Sequence, residues 1–429
     1  MADFFKWNLC VILSLFLFFG CSKDDNEIQV TGVLSGLIVD AETGASISDV
    51  SIIVFDANTN APTGNTFLSD VDGNYSIELL TGSYFIKLSK QGYSRVPTLD
   101  IIPISFAIIA GQTFDKPVEM FKSNLNNTGF ISGNVISGNE PQGGALVVAY
   151  NGTVGFSSVT DQNGDYNIYN VSAGDYSVKA FLANHNSSEL NIAVTTDMET
   201  SSTDLLLSTG ATGQVTGQIT FLSTQNIEVD VALTHPGTGE TIPGLTTHTS
   251  NFSYSISGVP DGIYIGRATY ENDNKVVDPD RIVKFGEPTV SVYAVSTELN
   301  FDVTGAVQLI GPSNDFSTSE PALVDTSPLL EWTAYSSTSD YVIEVVNSDG
   351  KIIWGGFNND NALTSKNIII PSDQTSIQFN IDNNATEPLE VGKIYRWRVY
   401  ASKDDVKEET GWKLISVSED QQGLIKVLL

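Results

Sequence analysis

Two short motifs decide the fold: Asp70-Val71-Asp72-Gly73-Asn74-Tyr75 and, a few residues later, Gly82-Ser83-Tyr84. Together they are typical of the turn and the return strand of a tight hairpin. The pair recurs twice, the second time in reduced form, at residues 161–166 with 174–176 and at residues 252–254 with 262–264. Similar opening strands precede the three copies, at residues 35–39, 132–136 and 216–220. A unit of roughly 85–95 residues is therefore repeated.

The segments inside a unit have the character of β-strands. Val50–Phe55, Tyr75–Leu79 and Tyr84–Leu88 are apolar or alternating and rich in β-branched and aromatic residues, and Asn, Asp, Gly and Pro separate them. No long helical periodicity follows residue 21. The pattern predicts an all-β protein made of tandem antiparallel β-sandwiches.

The first unit also carries Gly36, the turn Asp40-x-x-Thr43-Gly44 and the pair Gly92-Tyr93. With the hairpin motifs, this set resembles the carboxypeptidase-regulatory-like, or transthyretin-like, domain. The second unit has Ser137–Pro141 in place of the Asp-x-x-Thr-Gly turn, and the third keeps only the two tyrosines and Gly262. The resemblance implies accessory, non-catalytic sandwiches at residues 31–123 and 129–208, and a divergent one at 212–304.

The composition changes after Ala306, because four of the five tryptophans lie in this last part of the chain. Leu330–Trp332, Tyr341–Val345 and Tyr395–Ala401 are predicted strands with one buried face. With the lead-in Ile310–Asn314, they resemble a fibronectin type III-like domain covering residues 306–429. The apolar end, residues 423–429, has no predicted role.

The N-terminus resembles a bacterial lipoprotein processing site. An apolar run from Leu9 to Phe19, too short to span a bilayer, ends in Gly20-Cys21. We expect a signal peptide at residues 1–20, lipidation of Cys21 and a tether at residues 21–30. Lys23, Asp24 and Asp25 resemble the surface-export signal of Bacteroidetes lipoproteins. The predicted location is therefore the outer membrane, on the cell-surface side.

Charge and cysteine content limit the possible partners. The net charge of −30 opposes contact with phosphate backbones, so nucleic-acid binding is not expected, and membrane attachment has to come from the lipid. Cys10 and Cys21 are the two cysteines, which leaves the mature folded part without a thiol for a disulfide, a zinc site or a nucleophile.

Two groups of residues are candidate ligand sites. Asp70, Asp72, Asp161 and Asn163 are weak calcium candidates, although the preferred interpretation is a hairpin turn capped by aspartate. Trp354 and Trp412 are possible platforms for stacking a sugar ring. The recurring tyrosines are predicted to pack in the cores with their hydroxyls hydrogen-bonded: Tyr75, Tyr84, Tyr166, Tyr176, Tyr254 and Tyr264.

Catalysis is not predicted. His185, His235 and His248 are isolated, and neither a His-Glu-x-x-His nor a Gly-x-Ser-x-Gly motif is present. No cofactor is expected. The sequence favours a rod of four β-sandwiches with independent cores, acting as a structural, adhesive or interaction module with a possible protein partner. The alternatives are a glycan-binding lipoprotein of a polysaccharide-uptake system and, more remotely, an accessory subunit of a hydrolase.

Overall fold

The computed structural model describes residues 30–97, 105–123, 126–201, 203–222, 228–268, 274–314, 321–348, 350–358, 364–420 and 422–428. Over these residues the protein is all-β, with one seven-residue helix. This confirms the predicted fold class. The predicted signal peptide, Cys21, Lys23, Asp24 and Asp25 lie outside the described residues. None of the described helical residues forms a segment long and apolar enough to cross a membrane.

Unit 1 consists of two sheets, with strand orders β5-β1-β8 and β3-β2-β6-β7; β9 also pairs with β1 and β4 with β2. Its strands are β1 (Thr31–Asp40), β2 (Ser51–Asp56), β3 (Ala61–Pro62), β4 (Phe67–Leu68), β5 (Asn74–Leu80), β6 (Gly82–Ser89), β7 (Phe106–Ile108), β8 (Thr113–Asp115) and β9 (Val118–Met120).

Unit 2 repeats this plan, with one sheet around β10 and a second of order β13-β12-β15-β17. Its strands are β10 (Thr128–Ser137), β11 (Glu140–Pro141), β12 (Leu146–Tyr150), β13 (Gly155–Val159), β14 (Asp165–Ser172), β15 (Gly174–Phe181), β16 (Asn186–Ser187), β17 (Glu189–Val194), β18 (Glu199–Thr200) and β19 (Leu205–Ser208).

Unit 3 has the sheets β23-β20-β28-β25 and β22-β21-β24-β26, with β27 paired to β20. Its elements are β20 (Gly213–Phe221), β21 (Val229–Thr234), β22 (Thr241–Thr249), β23 (Ser253–Val259), β24 (Gly262–Ala268), β25 (Lys275–Val277), α1 (Pro279–Phe285), β26 (Thr289–Val292), β27 (Ser296–Glu298) and β28 (Phe301–Gly305).

Unit 4 packs the sheet β29-β31-β37 against a larger sheet of order β30-β40-β38-β32-β33, to which β36 and β39 are added. Its strands are β29 (Leu309–Gly311), β30 (Ala322–Val324), β31 (Leu329–Trp332), β32 (Asp340–Val346), β33 (Ile352–Gly355), β34 (Phe357–Asn358), β35 (Ser365–Lys366), β36 (Ile370–Pro371), β37 (Ser376–Gln378), β38 (Ile394–Asp404), β39 (Trp412–Val417) and β40 (Leu424–Val427).

The apolar end of the chain is part of the core of unit 4. Strand β40 pairs antiparallel with β38 and parallel with β30. Ile425 and Val427 are buried among the other core residues. The segment without a predicted role therefore joins the sheet, and its apolar residues are explained by this burial.

Units 1 and 2 each have a buried cluster of their own, but a further cluster joins both units to the core of unit 3, which corrects the expectation of a rod of separate sandwiches with independent cores. Strand β2 is buried on both faces: Ile52 and Val54 pack inside unit 1, whereas Ile53 and Phe55 pack outward. The outward residues join one buried cluster with residues of unit 2, such as Leu146 and Phe181, and with the core of unit 3. Burial of both faces explains why Val50–Phe55 is largely apolar and does not alternate between apolar and polar residues, as a strand with one exposed face would.

Candidate functional site

One contact is repeated inside all three units and fixes their architecture. The hydroxyl of the first hairpin tyrosine donates to a backbone carbonyl: Tyr75 to Lys116 at 2.6 Å, Tyr166 to Thr203 at 2.5 Å and Tyr254 to Leu299 at 2.6 Å. Each carbonyl lies between two short segments that pair in parallel with the opening strand. Burial raises the pKa of each tyrosine, so the hydroxyl remains a donor.

A glycine lies directly opposite each of these tyrosines: Gly36, Gly133 and Gly217. A Cβ on Gly217 would lie 1.8 Å from the Leu299 carbonyl oxygen, so a side chain there would block the tyrosine's acceptor. The second tyrosines, Tyr84, Tyr176 and Tyr264, are buried as well. The predicted core role of all six tyrosines is confirmed, except that the Tyr176 hydroxyl has no hydrogen-bond partner among the described residues. Unit 3 also keeps the unit 1 architecture although its acidic turn is lost.

The Asp-x-x-Thr-Gly motif of unit 1 forms a buried capping site. Asp40 Oδ1 accepts from the Thr43 amide at 2.9 Å and the Glu42 amide at 3.0 Å, and Oδ2 accepts from the Tyr93 hydroxyl at 3.0 Å. These hydrogen bonds, led by that from the Thr43 backbone, lower the pKa of Asp40 to about 2. The motif is therefore a structural staple between β1 and the Gly92-Tyr93 turn.

The acidic turns have the geometry of capped hairpins. Asp70 Oδ1 accepts from the amides of Asp72 at 3.0 Å and Asn74 at 2.8 Å, and Asp161 Oδ1 accepts likewise from Asn163 at 2.8 Å and Asp165 at 3.0 Å. Gly73 and Gly164 have φ values of 80° and 79°. In the described part of the chain, no three His, Cys, Asp or Glu side chains are grouped to hold a metal ion.

Trp354 is not a stacking platform, which corrects the sequence interpretation. It is 2% exposed, its indole N–H donates to Asp382 Oδ1 at 2.8 Å, and its ring contacts Phe379 edge-on at 5.2 Å. Strand β33 turns this residue inward because Trp354 pairs with Val345 of the central strand β32.

Trp412 is partly buried at the contact between units 3 and 4. Its ring stacks on Phe357 at 5.9 Å, and the ammonium groups of Lys284 and Lys366 lie 4.8 and 4.9 Å from its centroid. Lys284 extends from α1 and also bonds the Trp412 carbonyl at 2.9 Å and Glu408 at 3.3 Å. The ring therefore takes part in the contact that holds unit 4 against unit 3.

Asn170 joins units 1 and 2. This residue has a φ of 55° and is buried. Its amide side chain accepts from the Gly92 amide at 3.2 Å and donates to the carbonyls of Tyr93 at 2.8 Å and Lys90 at 3.2 Å. Its side chain therefore provides hydrogen-bond partners for backbone groups in the turn that follows β6 in unit 1.

The junction between units 2 and 3 uses the equivalent positions. Gly258, four residues after Tyr254 as Asn170 is four after Tyr166, has a φ of 73°. Its carbonyl accepts from the amide of Asn184 at 2.7 Å, and a Cβ there would lie 2.2 Å from Asn184 Oδ1. Asn184 is eight residues after Tyr176, just as Gly92 is eight after Tyr84. The two junctions thus place equivalent positions in a head-to-tail contact, which is made by the side chain of Asn170 at the first junction and by the backbone carbonyl of Gly258 at the second.

Units 1 and 3 also meet directly. Lys87 on β6 bonds both oxygens of Glu240 at 2.9 Å, and the Thr241 hydroxyl donates to the Thr59 carbonyl at 3.0 Å. The Lys87 ammonium lies 4.5 Å from the centre of the Phe55 ring. The first three units therefore form one interlocked body in which each contacts the other two.

A groove of about 740 Å³ lies where units 2 and 3 meet. Its floor is the outer face of β12, β15 and β17, and His235 of unit 3 forms part of its wall. His235 is 7% exposed, its Nδ1 accepts from the Gly237 amide at 3.1 Å, and its ring contacts Tyr150 and Phe181 edge-on at 5.4 and 5.1 Å. Burial, and secondarily the charge of Lys179, lowers the pKa of His235 to about 4.

Sequence reasoning missed the junction residues. Asn170 and Gly258 carry a local signal, since Asn and Gly tolerate a left-handed backbone inside a strand, but their partners lie in another unit. His235 looked isolated because the aromatic rings around it come from unit 2.

No family model matches the chain, and no curated protein matches it. Among solved structures, it is similar to the TIE protein of Bacillus anthracis (14% identity, TM-score 0.18), over 64% of this chain and about half, 51%, of that protein. It is also similar to a DUF3823 family protein from Bacteroides uniformis (12%, 0.21; 50% and 99% covered) and to BcpA, the major pilin subunit of Bacillus cereus (11%, 0.18; 64% and 100% covered). Similarities of this size identify neither a family nor an activity.

Proposed function

We propose that the protein is a non-catalytic surface lipoprotein that acts as a stiff structural or adhesive module, held in the outer membrane through Cys21. In this proposal units 1–3 are carboxypeptidase-regulatory-like sandwiches and unit 4 is a fibronectin type III-like domain. The repeated tyrosine–carbonyl contact supports a common origin for units 1–3.

The observation that carries the proposal is the fixed relation between successive units. Domains in one chain move relative to each other by default, unless their interface is large and apolar. Here the first three units share one apolar cluster, and the head-to-tail contact is used twice. Unit 4 is fixed by Lys284 and by Asp280, whose carboxylate accepts from the Leu414 amide at 2.8 Å. A stiff module of this kind is suited to holding a surface at a fixed distance and angle.

We expect Asn170→Ala to loosen unit 1 from unit 2. The substitution removes the hydrogen-bond partner of the Gly92 amide and of the Tyr93 carbonyl, which costs about 1–3 kcal/mol, whereas the Lys90 carbonyl still accepts from the Tyr93 amide. Spin labels at Val71→Cys and Val406→Cys, both highly exposed, report the distance between units 1 and 4 by pulsed electron resonance once Cys10 and Cys21 are replaced. A narrow distance distribution is expected, and Asn170→Ala should broaden it.

The matched control is Asn383→Ala, which removes an exposed asparagine with a similar φ of 57° away from the junctions. It should leave the distribution narrow. A broad distribution in the unaltered chain would refute the stiff module.

Cys21→Ala tests the anchor separately. Cys21 is the residue proposed to carry the lipid, so the variant should move from the membrane to the soluble fraction on cell fractionation. Neutral substitutions at Lys23, Asp24 and Asp25 should instead keep the protein in the membrane but shield it from protease added to whole cells. Unchanged membrane association of Cys21→Ala would disprove lipid anchoring.

A further inference from the structure

The groove between units 2 and 3 combines polar side chains with an aromatic ring. On its floor the strands place Tyr150 beside Ser177 and Ser177 beside Asn191, and in the next row Lys179 beside Glu189. Ser177 and Lys179 are half-buried, whereas Asn191 and Glu189 are exposed. The Ser177 hydroxyl donates to Glu189 at 2.6 Å, and the Lys179 ammonium to the Asp261 carbonyl of unit 3 at 3.0 Å.

The docking of unit 3 completes this groove. Gly237 packs so closely on Tyr150 that a Cβ there would lie 2.4 Å from two ring carbons, and the Gly237 carbonyl lies against Gly155. His235, two residues before Gly237, completes the wall of the groove. The turn thereby orders the Tyr150 ring, whose hydroxyl donates to the Gly152 carbonyl at 2.8 Å.

We propose that this groove binds a neutral oligosaccharide. Sugar hydroxyls are both donors and acceptors, and they match a floor that offers a hydroxyl, an amide, carboxylates and an ammonium group. The C–H face of a sugar ring is apolar and packs on an aromatic side chain such as Tyr150. The volume lies within the range of about 300–1,000 Å³ found for small-molecule sites.

Charge and polarity argue against other ligand classes. Asp175 and Glu189 face a single ammonium group, Lys179, so an anionic ligand would meet net repulsion in a protein of charge −30. An apolar ligand would desolvate these charged groups without replacing their hydrogen bonds.

Affinity electrophoresis of the full chain tests the proposal, in native gels containing xyloglucan, glucomannan, arabinoxylan, galactan, hydroxyethylcellulose or soluble starch. At least one polymer should retard the protein, and calorimetric titration with its oligosaccharide should give saturable binding. Asn191→Ala, at an exposed side chain, and Tyr150→Ala should each weaken binding at least tenfold.

Tyr293→Ala is the matched control, because Tyr293 is an exposed tyrosine of unit 3 outside the groove, and it should bind normally. No retardation by any polymer would overturn the proposal, and so would binding that both groove variants retain. Either failure leaves the stiff-module proposal standing, since that is tested by distances between units.

Discussion

Replacing Tyr166 by alanine is expected to lower the free energy of unfolding by about 3–5 kcal/mol, the range for large aromatic truncations in a core. Tyr166 is 2% exposed, and its ring packs among the core residues of unit 2. Tyr166→Phe keeps the ring and loses only the hydrogen bond to Thr203, so it should cost about 1 kcal/mol. Urea unfolding followed by circular dichroism measures both values.

Tyr293→Ala, at an exposed tyrosine, should stay within about 0.5 kcal/mol of the unaltered protein. A similarly small effect of Tyr166→Ala would contradict the core role. Because Leu146 and Phe181 of unit 2 belong to the cluster shared with units 1 and 3, we expect these three units to unfold together.

Acid should weaken the contact between units 2 and 3 through His235. The pKa of this histidine is about 4 in the folded protein against 6.5 when unfolded, so the unfolded chain binds more protons between these values. Stability therefore falls as the pH drops from about 6.5 towards 4, and the loss reaches about 3 kcal/mol at pH 4. Unfolding curves at a series of pH values measure this slope.

His235→Gln should flatten the curve in this range. A pH dependence that persists unchanged in His235→Gln would assign the effect to other groups. Below about pH 4 a second loss is expected, because the carboxyl of Asp40 binds a proton in the unfolded chain, with a pKa of 3.8, before it does so in the folded protein, where its pKa is about 2.

Much of the fold of units 1–3 was predictable from local chemistry. The Asp-x-x-Gly-x-Tyr turns form their hairpins through contacts within a few residues, and the alternation in Asn74–Leu80 places Tyr75, Ile77 and Leu79 in the core. Unit 3 was harder to recognise because its turn lost the aspartates. Gly217 opposite Tyr254 preserves the essential contact; both residues lie in the repeated sequence segments, but their pairing is seen only in the structure.

The candidate sites were much less predictable. Trp354 precedes two glycines, which suggested exposure, yet Gly355 and Gly356 adopt φ values of 73° and 69° while the indole remains inside. The groove around Tyr150 is formed by residues of two units. The relative placement of these units is determined by contacts between apolar surfaces that are far apart in the sequence. Alternation within a strand reports that a face is buried but not what covers it.

The repeated junction gives the array a direction. Units 1 and 2 each contribute a turn that contacts the next unit. In units 2 and 3 the turn is contacted by a residue with a left-handed backbone, Asn170 or Gly258, which lies at a β-bulge where the pairing register of the strands shifts. In unit 1 the equivalent position, four residues after Tyr75, is occupied by Leu79. The strand pairing there has no register shift, and the Leu79 side chain is buried in the core of unit 1. Another sandwich could not join ahead of it by the same contacts. Unit 2 both offers and receives, so it is the module that an engineered, longer version of this protein would duplicate.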